Sequence, residues 1–376
     1  MLLRPHQQSK QERELVRKVK IAIAGVGLVG RRHAEAIERL KDIDICGVVD
    51  PGKEGQDFAA EHGFPCYSTL SELFASEAPN GIVLSTPTPL HVEQGLECVA
   101  QGCPMLVEKP LATSSREALE LVTASEMANV PLLVGHHRRY NPLIRKAHEV
   151  IAQGELGDIR AVHMNCWFFK PDYYFDQAPW RKKSGAGPIS VNLVHDIDLI
   201  RHLCGEIESV QGHAAPSARW FENEDVAAAV LRFKNGAIGT ITVSDSIVSP
   251  WSWEMTSSEY PVYPSVPESC YMIGGSQGSL SVPDLRLWSY TKGERDWWSP
   301  ISNTSLTHGA SDPLVNQIAH FADVIRGTAT PMIPGREGLR TLQVIEAMQI
   351  ACNTGEPVRV HDLLPIENKP EIHSLA

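Results

Sequence analysis

The sequence predicts an α/β protein in two parts: a doubly wound parallel sheet, then a second α/β domain with a large open, mostly antiparallel sheet. Three observations predict it. Strand-like apolar runs alternate with helical patterns from Val19 to about Asn141, and repeated strand–helix units imply a parallel sheet with right-handed crossovers. A glycine turn, Gly25-Val26-Gly27-Leu28-Val29-Gly30, follows the first of these runs and opens a helical pattern. After Asn141-Pro142, strand candidates follow one another without helices between them, which is the mark of antiparallel pairing.

The first run, Val19–Ala24, sets Ile21 and Ile23 among small residues and suits a strand covered on both faces. Each glycine after it has its own reason. Gly25 allows the tight turn, Gly27 keeps side-chain atoms away from a pyrophosphate, and Gly30 lets helix and strand pack closely. The free N–H groups that begin the helix, over Gly27, Leu28 and Val29, are suited to phosphate oxygens. A helical pattern covers residues 31–40, and Cys46–Asp50 reads as a second strand ending in an acid 20 positions after Gly30. An acid there binds both hydroxyls of an adenosine ribose. The sum is a Rossmann dinucleotide site. Asp50 repels a 2′-phosphate, so NAD is favoured, while Lys53 keeps NADP open.

Residues 54–62 and Leu70–Ser76 follow as helices, and Gly81–Pro87 as a buried strand running into a turn. His91–Gln101 is helical and ends at Gly102, Pro104–Pro110 is a strand and its exit, Ser114–Ala128 is an amphipathic helix and Pro131–His136 a further strand. Ligands on such sheets lie beyond the carboxyl ends of the strands. Three exits therefore face one crevice: Gly25–Gly30, Ser85–Thr88 and Glu108–Pro110.

In the second part Leu143–Gln153 is helical and Asp158–Phe169 is a long strand. Further strands are expected over Ile207–Ala214, Val226–Phe233, Ala237–Asp245, Cys270–Gly274, Gly278–Val282 and Leu285–Tyr290, with Asn235-Gly236 as a hairpin turn. Pro313–Arg326 and Arg336–Cys352 return to helical spacing. Ile247–Ser269 is a long loop holding Trp251, Trp253, Tyr260, Tyr263 and four prolines. Irregular segments of that length are usually functional, and a subunit contact or a cover for the active site is expected here. The domain limits are an N-terminal arm at 1–18, the dinucleotide-binding domain at 19–141, a substrate-binding and oligomerisation domain at 142–355 and a tail at 356–376.

The totals bound the function. The 376 residues carry a net charge of −11, which argues against nucleic acid or an anionic membrane as partner. No run of 18 apolar residues occurs, so no transmembrane helix is expected. The segment to Lys20 is basic without an apolar core, so it is not read as a secretory signal. The eight cysteines, at 46, 66, 98, 103, 166, 204, 270 and 352, are scattered and include no C-x-x-C. They read as reduced thiols of a cytoplasmic protein. No H-E-x-x-H or similar ligand set appears among the histidines and acids, so no metal is expected.

The glycine turn, Asp50, Ser85-Thr86-Pro87 with His91 after it, Glu108-Lys109-Pro110, Arg138-Arg139-Tyr140-Asn141-Pro142, and His195 with Asp198 stand in that order. On these residues the chain resembles the glucose-fructose oxidoreductase, inositol dehydrogenase and rhizopine catabolism family (Gfo/Idh/MocA), over most of residues 19–355. The resemblance implies NAD(P)-dependent oxidation of a secondary alcohol on a sugar, polyol or related ring, or the reverse reduction. It also implies a catalytic pair, carried here by Lys109 and His195. Hydride leaves a carbinol carbon more easily as its hydroxyl loses a proton, so a base must reach that oxygen, and imidazole titrates in the right range. Lys109 can donate to the same oxygen, and a positive nicotinamide ring nearby would push it toward neutrality and a share of the base role. Ser85, Thr86, Pro87, His91 and Glu108, with Lys109, are expected along the nicotinamide half of the cofactor.

His195 lies in a helical stretch whose Leu193, Ile197, Ile200 and Cys204 form one apolar stripe. His195, Asp198 and His202 share the other side, where Asp198 at i+3 can orient an imidazole. Some sugar dehydrogenases of the family carry an aspartate four residues before the histidine. That position is Val191 here, and Asn192 is the residue left to bind a substrate hydroxyl, which weakens a claim of inositol dehydrogenase activity. Trp180-Arg181-Lys182-Lys183 precedes the helix. Its cations suit an acidic substrate, or Trp180 suits stacking on a sugar or on the cofactor. An exposed sheet face has to be covered, so a homodimer or homotetramer is expected. Three alternatives stay open: an NAD-dependent glycosidase working by transient sugar oxidation, a dihydrodiol dehydrogenase, and a non-catalytic nucleotide-sensing regulator.

Overall fold

The computed structural model describes residues 18–290 and 295–364. The expected N-terminal arm, except Lys18, and the tail beyond residue 364 lie outside the described residues. Strands and helices alternate through the first part: β1 (Val19–Ala24), α1 (Leu28–Glu38), β2 (Ile43–Val49), α2 (Lys53–His62), β3 (Cys66–Tyr67), α3 (Leu70–Ser76), β4 (Gly81–Leu84), α4 (His91–Ala100), β5 (Met105–Val107), α5 (Ser115–Ala128) and β6 (Leu132–Val134). All pair in parallel, in the order β3-β2-β1-β4-β5-β6. Strand order reverses between β1 and β4, and a ligand crevice opens where that happens. Side-chain caps set helix starts: Thr69 accepts from the Glu72 N–H at 3.2 Å and Ser114 from the Glu117 N–H at 3.3 Å.

The second part opens with α6 (Pro142–Ala152), β7 (Ile159–Trp167), α7 (Asp172–Asp176), α8 (Pro188–Val191) and α9 (Leu193–Cys204). Then come β8 (Ile207–Pro216), β9 (Glu224–Phe233), β10 (Ile238–Ser244), α10 (Trp253–Thr256), β11 (Tyr271–Gly275), β12 (Gly278–Val282), β13 (Arg286–Ser289), β14 (Ser302–Ser305), α11 (Pro313–Ile325), α12 (Gly335–Thr354) and β15 (Val358–Arg359). Nine strands form one sheet in the order β14-β13-β12-β11-β7-β10-β9-β8-β15. Every pair is antiparallel except β7 with β10. Gly236, at φ 87°, makes the β9–β10 turn. Residues of α9 and α12 share one core with the inward side chains of this sheet. On the opposite face Val230, Thr240, His163 and Met272 stand in register across four strands.

The short elements were not legible. β3 and β15 have two residues each, and β14 is an all-polar Ser-Asn-Thr-Ser run without alternation. One departure concerns the domain limits. α11 falls in the expected substrate domain, yet Leu314, Ile318, Phe321 and Ala322 pack with Ile21, Ile23 and Ile37 of the first sheet layer. Gly81 leaves room for it, since a Cβ there would lie 2.5 Å from Ile325. α12 does similar work between the halves. Gly335 and Gly338 lie against Leu132 and Val134, while Val344, Ile345 and Met348 join the core of the second sheet. No helix among the described residues is long and apolar enough to cross a membrane.

Phe321 is fully buried. Phe321→Ala is therefore expected to cost about 3–5 kcal/mol, read as a lower urea midpoint. Loss of nucleotide binding should accompany it, because the side chain supports the first sheet rather than the second.

Candidate active site

The three glycines differ in the way their spacing demanded. Gly25 has φ 81°, and a Cβ on it would lie 2.8 Å from the backbone of Ser85 and Thr86. A Cβ on Gly30 would lie 1.9 Å from the Gly25 carbonyl oxygen. Gly27 meets nothing within 4 Å, and Leu28 and Val29 beside it are exposed. The turn is thus closed toward the protein and open toward the crevice, the shape a pyrophosphate needs. Asp50 is fixed at its edge: Oδ2 accepts from the Val26 N–H at 3.0 Å and Oδ1 from the Gly52 N–H at 2.9 Å. These residues fit a dinucleotide with the ribose at Asp50. Lys53 is exposed and paired with Asp57 at 2.5 Å.

Ser85 and His91 do not face the ligand side with free polar atoms. The Ser85 hydroxyl lies 2.7 Å from the Gly25 carbonyl and 3.1 Å from that of Ala24, clamping the β4 exit to the glycine turn. His91 is buried with its ring nitrogens at 3.0 Å from the Pro110 carbonyl and 2.8 Å from that of Thr86. It holds two of the three exits together from behind, which corrects the expectation that it lines the crevice. Thr86 donates its hydroxyl to Gln94 at 2.6 Å, and Pro87 follows in an extended conformation.

Glu108 is buried, with one oxygen 2.8 Å from Nε2 of His33 and the other accepting from the Lys109 N–H at 3.1 Å. Burial alone would raise this acid. The bond and charge of His33, with Lys109 and His137, outweigh it and hold Glu108 at about 2. His33, buried on α1, was not read from the sequence. Lys109 follows at the β5 exit, and among the described residues no group hydrogen-bonds its ammonium. Burial draws its pKa below the ordinary lysine value, Glu108 opposes that shift and Arg138 adds to it.

His195 reaches the same place from the second part. Its Nδ1 is buried and has no partner among the described residues. Burial lowers its pKa well below the usual value, and the positive charge of Lys109 contributes more to that than any other neighbour, ahead of Arg138, His137 and His136. Its ring meets those of His137 and His136 edge-on at 5.4 and 6.4 Å. The helix that carries it is buried nearly all round. Asp198 does not orient the imidazole. Its carboxylate accepts two bonds from Arg139, at 2.7 and 2.9 Å, and one from Thr341 at 3.3 Å. A guanidinium from the first part outcompeted the in-helix partner, since a two-point charged bond is stronger than one to a neutral imidazole.

The long aromatic loop lies over this place, and its acids make the contacts. Glu254 accepts from Arg138 at 2.6 Å, and Glu259 lies 3.2 Å from His137 and accepts from Asn141 at 2.8 Å. Tyr260 stacks under the Arg32 guanidinium at 4.4 Å. Trp253 is buried inside α10 with Arg138 over its ring at 5.4 Å. Two Arg138 nitrogens, Nε and Nη1, make no hydrogen bond among the described residues, though Nη1 lies 3.9 Å from Asp196.

Asn192 has its Oδ1 occupied by the Lys170 ammonium at 2.6 Å. Lys170, unnoticed in the sequence, is buried, 3.8 Å from Asp245 and 5.0 Å from the Tyr174 ring. The expected cationic loop is largely self-neutralised. Lys182 pairs with Asp176 and Lys183 with Glu222, while Arg181 donates to the Tyr174 carbonyl at 2.6 Å and stacks on that ring at 3.9 Å. Trp180 stands exposed beside it. Among the described residues no group of three or more His, Cys, Asp or Glu is placed to hold a metal ion.

Known proteins match both halves. A family model described as an oxidoreductase family with an NAD-binding Rossmann fold matches residues 19–136, and one described as the GFO/IDH/MocA C-terminal domain matches residues 144–281. The 4-carboxy-2-hydroxymuconate-6-semialdehyde dehydrogenase of a Sphingobium species is 28% identical over 60% of this chain and 72% of its own. The scyllo-inositol 2-dehydrogenase (NAD(+)) of Bacillus subtilis is 26% identical over 91% of this chain and 96% of its own. Among solved structures, the WlbA dehydrogenase of Bordetella pertussis in complex with NADH and UDP-GlcNAcA is 27% identical, with a TM-score of 0.75 over 93% of this chain and all of that one.

The buried histidines set a pH dependence. The folded chain keeps His195 neutral and holds His136 at about 4, whereas unfolded imidazoles bind protons near about 6.5. The unfolded state therefore takes up more protons on acidification, and stability should fall as pH drops below about 6.5. Glu108 and Glu259, both held at about 2, act lower. Their stabilisation is present above the usual carboxylate range and is lost only as pH falls toward 2. Urea midpoints at pH 7.5 and pH 5.5 are expected to differ for the parent and to differ less for His136→Phe.

Proposed function

The chain belongs to the Gfo/Idh/MocA family of NAD-binding oxidoreductases, and on that premise we propose that it moves a hydride between nicotinamide and a secondary alcohol of a sugar, polyol or glycoside ring. One observation supports this: Lys109 and His195 come from separate halves of the chain, the lysine's charge is the largest contribution of any neighbour to the lowered pKa of the histidine, and His195 Nδ1 has no hydrogen-bond partner among the described residues. When bound, NAD supplies the two-electron acceptor or donor at C4 of its nicotinamide ring.

Gly25, Gly27, Leu28, Val29 and Gly30 hold the pyrophosphate in this proposal, and Asp50 the ribose. The neutral His195 imidazole takes the hydroxyl proton of the carbinol. A histidine that was already protonated could not do so, so its lowered pKa keeps the base form available at neutral pH. Lys109 donates to the same oxygen while negative charge develops on it. In the reverse reduction, where the carbonyl oxygen gains a proton as the carbon gains the hydride, its lowered pKa lets Lys109 give up a proton more readily than a surface lysine would. Lys170 fixes the Asn192 amide with Oδ1 turned inward, so that Nδ2 is left to meet a neighbouring substrate hydroxyl. The loop carrying Glu254, Glu259 and Tyr260 keeps water from the crevice.

We also propose a homodimer or homotetramer joined through the open face of the nine-stranded sheet. Val230, Ile238 and Met272 are exposed there, and large apolar side chains exposed on one face favour burial against a partner. The free thiols, seven of the eight buried, suit a reducing compartment such as the cytoplasm.

Lys109→Met and His195→Gln are each expected to lower kcat about 10²- to 10⁴-fold, with His195→Gln leaving NADH affinity, read by fluorescence, near the parent's. A screen of polyols, sugar acids and dihydrodiols with NAD and NADP, followed by reduced-nicotinamide absorbance, identifies the substrate. In the same assay Asp50→Ala should raise the use of NADP relative to NAD.

A further inference from the structure

The loop between β8 and β9 places a tryptophan where the packing of the chain itself has no use for one. Trp220 is 95% exposed and has φ 61°, a conformation that bulky residues rarely adopt. The turn is firmly held: Trp220 N–H donates to the Ser217 carbonyl at 3.0 Å, Arg219 N–H to the Ser217 hydroxyl at 3.2 Å and Ala218 N–H to Asp225 at 2.8 Å. Glycine or asparagine would serve such a turn better. Large side chains held against their backbone preference tend to mark function.

Three further aromatic residues stand out of the same part of the molecule: Phe169, Tyr173 and Trp180, at 45%, 66% and 56% exposure. Their segments and the Trp220 turn form one unit. Arg219 stacks over Phe175 at 4.8 Å and donates to the Lys170 carbonyl at 2.9 Å. Phe175 packs on Phe221 at 5.1 Å, and Glu222 N–H donates to the Lys182 carbonyl at 2.9 Å. The inner end of the unit is Lys170, whose ammonium holds Asn192, three residues before His195. Lys170 thus ties this unit to the segment that leads into the helix of His195.

We propose that this rim is a second sugar subsite. It takes the glycosidically linked neighbour of the ring whose carbinol is oxidised, so the substrate is a glycoside or short oligosaccharide rather than a free monosaccharide. The inference rests on the redox reading above and narrows its substrate class. The C–H faces of a sugar ring lie flat on aromatic rings, and its hydroxyls need charged or polar edges beside them. The Lys182–Asp176 and Lys183–Glu222 pairs supply such edges at 2.8 and 2.5 Å. A second copy of the chain docked here would have to desolvate those exposed ion pairs, which is unfavourable.

The test uses the full chain with NADH bound, so that no turnover is needed. Cellobiose, lactose and β-1,4-mannobiose are titrated against glucose, galactose and mannose, with tryptophan fluorescence and calorimetry as readouts. At least one disaccharide should bind about tenfold more tightly than its own monosaccharide, the gain expected of one or two aromatic contacts. Trp220→Gly should remove that gain and leave monosaccharide affinity and sedimentation unchanged. Its thermal midpoint should equal or exceed the parent's, because glycine is at ease at φ 61°. The proposal is overturned if no disaccharide outbinds its monosaccharide, if Trp220→Gly weakens both alike, or if it changes the oligomeric state, which would make the rim a contact between copies. Absence of NADH formation with every sugar would instead sink the redox reading and leave the binding result standing.

Discussion

The site depends on one buried ion pair. Arg139, just after β6, meets Asp198 of α9 through two bonds, and Glu337 of α12 closes on the same guanidinium at 3.0 Å. Arg201 extends the network to Glu206 at 2.7 Å and to Thr341 at 2.8 Å. Removing one partner of such a pair leaves an uncompensated charge in the interior and costs far more than a surface ion pair is worth. The arrangement is therefore close to all-or-none. It fixes the rotation of α9, and His195, less than one turn before Asp198, is carried to the side that faces Lys109. The proposed pair, divided between two halves of the chain, needs a constraint of this kind, because neither half can hold the distance alone.

Much of this was legible in the sequence because the signals were local. Gly25, Gly27 and Gly30 each answer to a different steric demand within six residues, and Asp50 lies at the interval that one strand–helix–strand unit imposes. Lys109 and His195 entered through a resemblance, and their surroundings did not. His33, Lys170, Glu254 and Glu259 act across separations of 75, 22, 116 and 118 residues, with no spacing to betray them. Asp198 was assigned to the wrong partner for the same reason. Helical periodicity shows which residues share a face, but not what a distant segment brings to it.

The long loop after β10 illustrates the limit from the other direction. Its tryptophans and tyrosines drew attention by composition, and a cover for the site was a fair expectation. Yet Trp253 serves mainly as core, and the links to the first half run through Glu254, Glu259 and the Tyr260–Arg32 stack. Acids in a loop are ordinary, so nothing marked them out. Their importance comes from the buried polar groups of residues 138–141 that would lack partners without them, since Glu254 accepts from Arg138 and Glu259 from Asn141.

The packing of α11 has a consequence for how the molecule is made. The strands that cradle the nucleotide are complete once residue 134 has left the ribosome, but the helix that seals one side of their core arrives roughly 180 residues later. At about 5–20 residues per second, the interval is about 10–40 s. Throughout it Ile21, Ile23 and Ile37 lack part of their cover on a nascent polypeptide. The nucleotide-binding lobe is thus translated before the second lobe but cannot complete its core until most of that lobe has followed it.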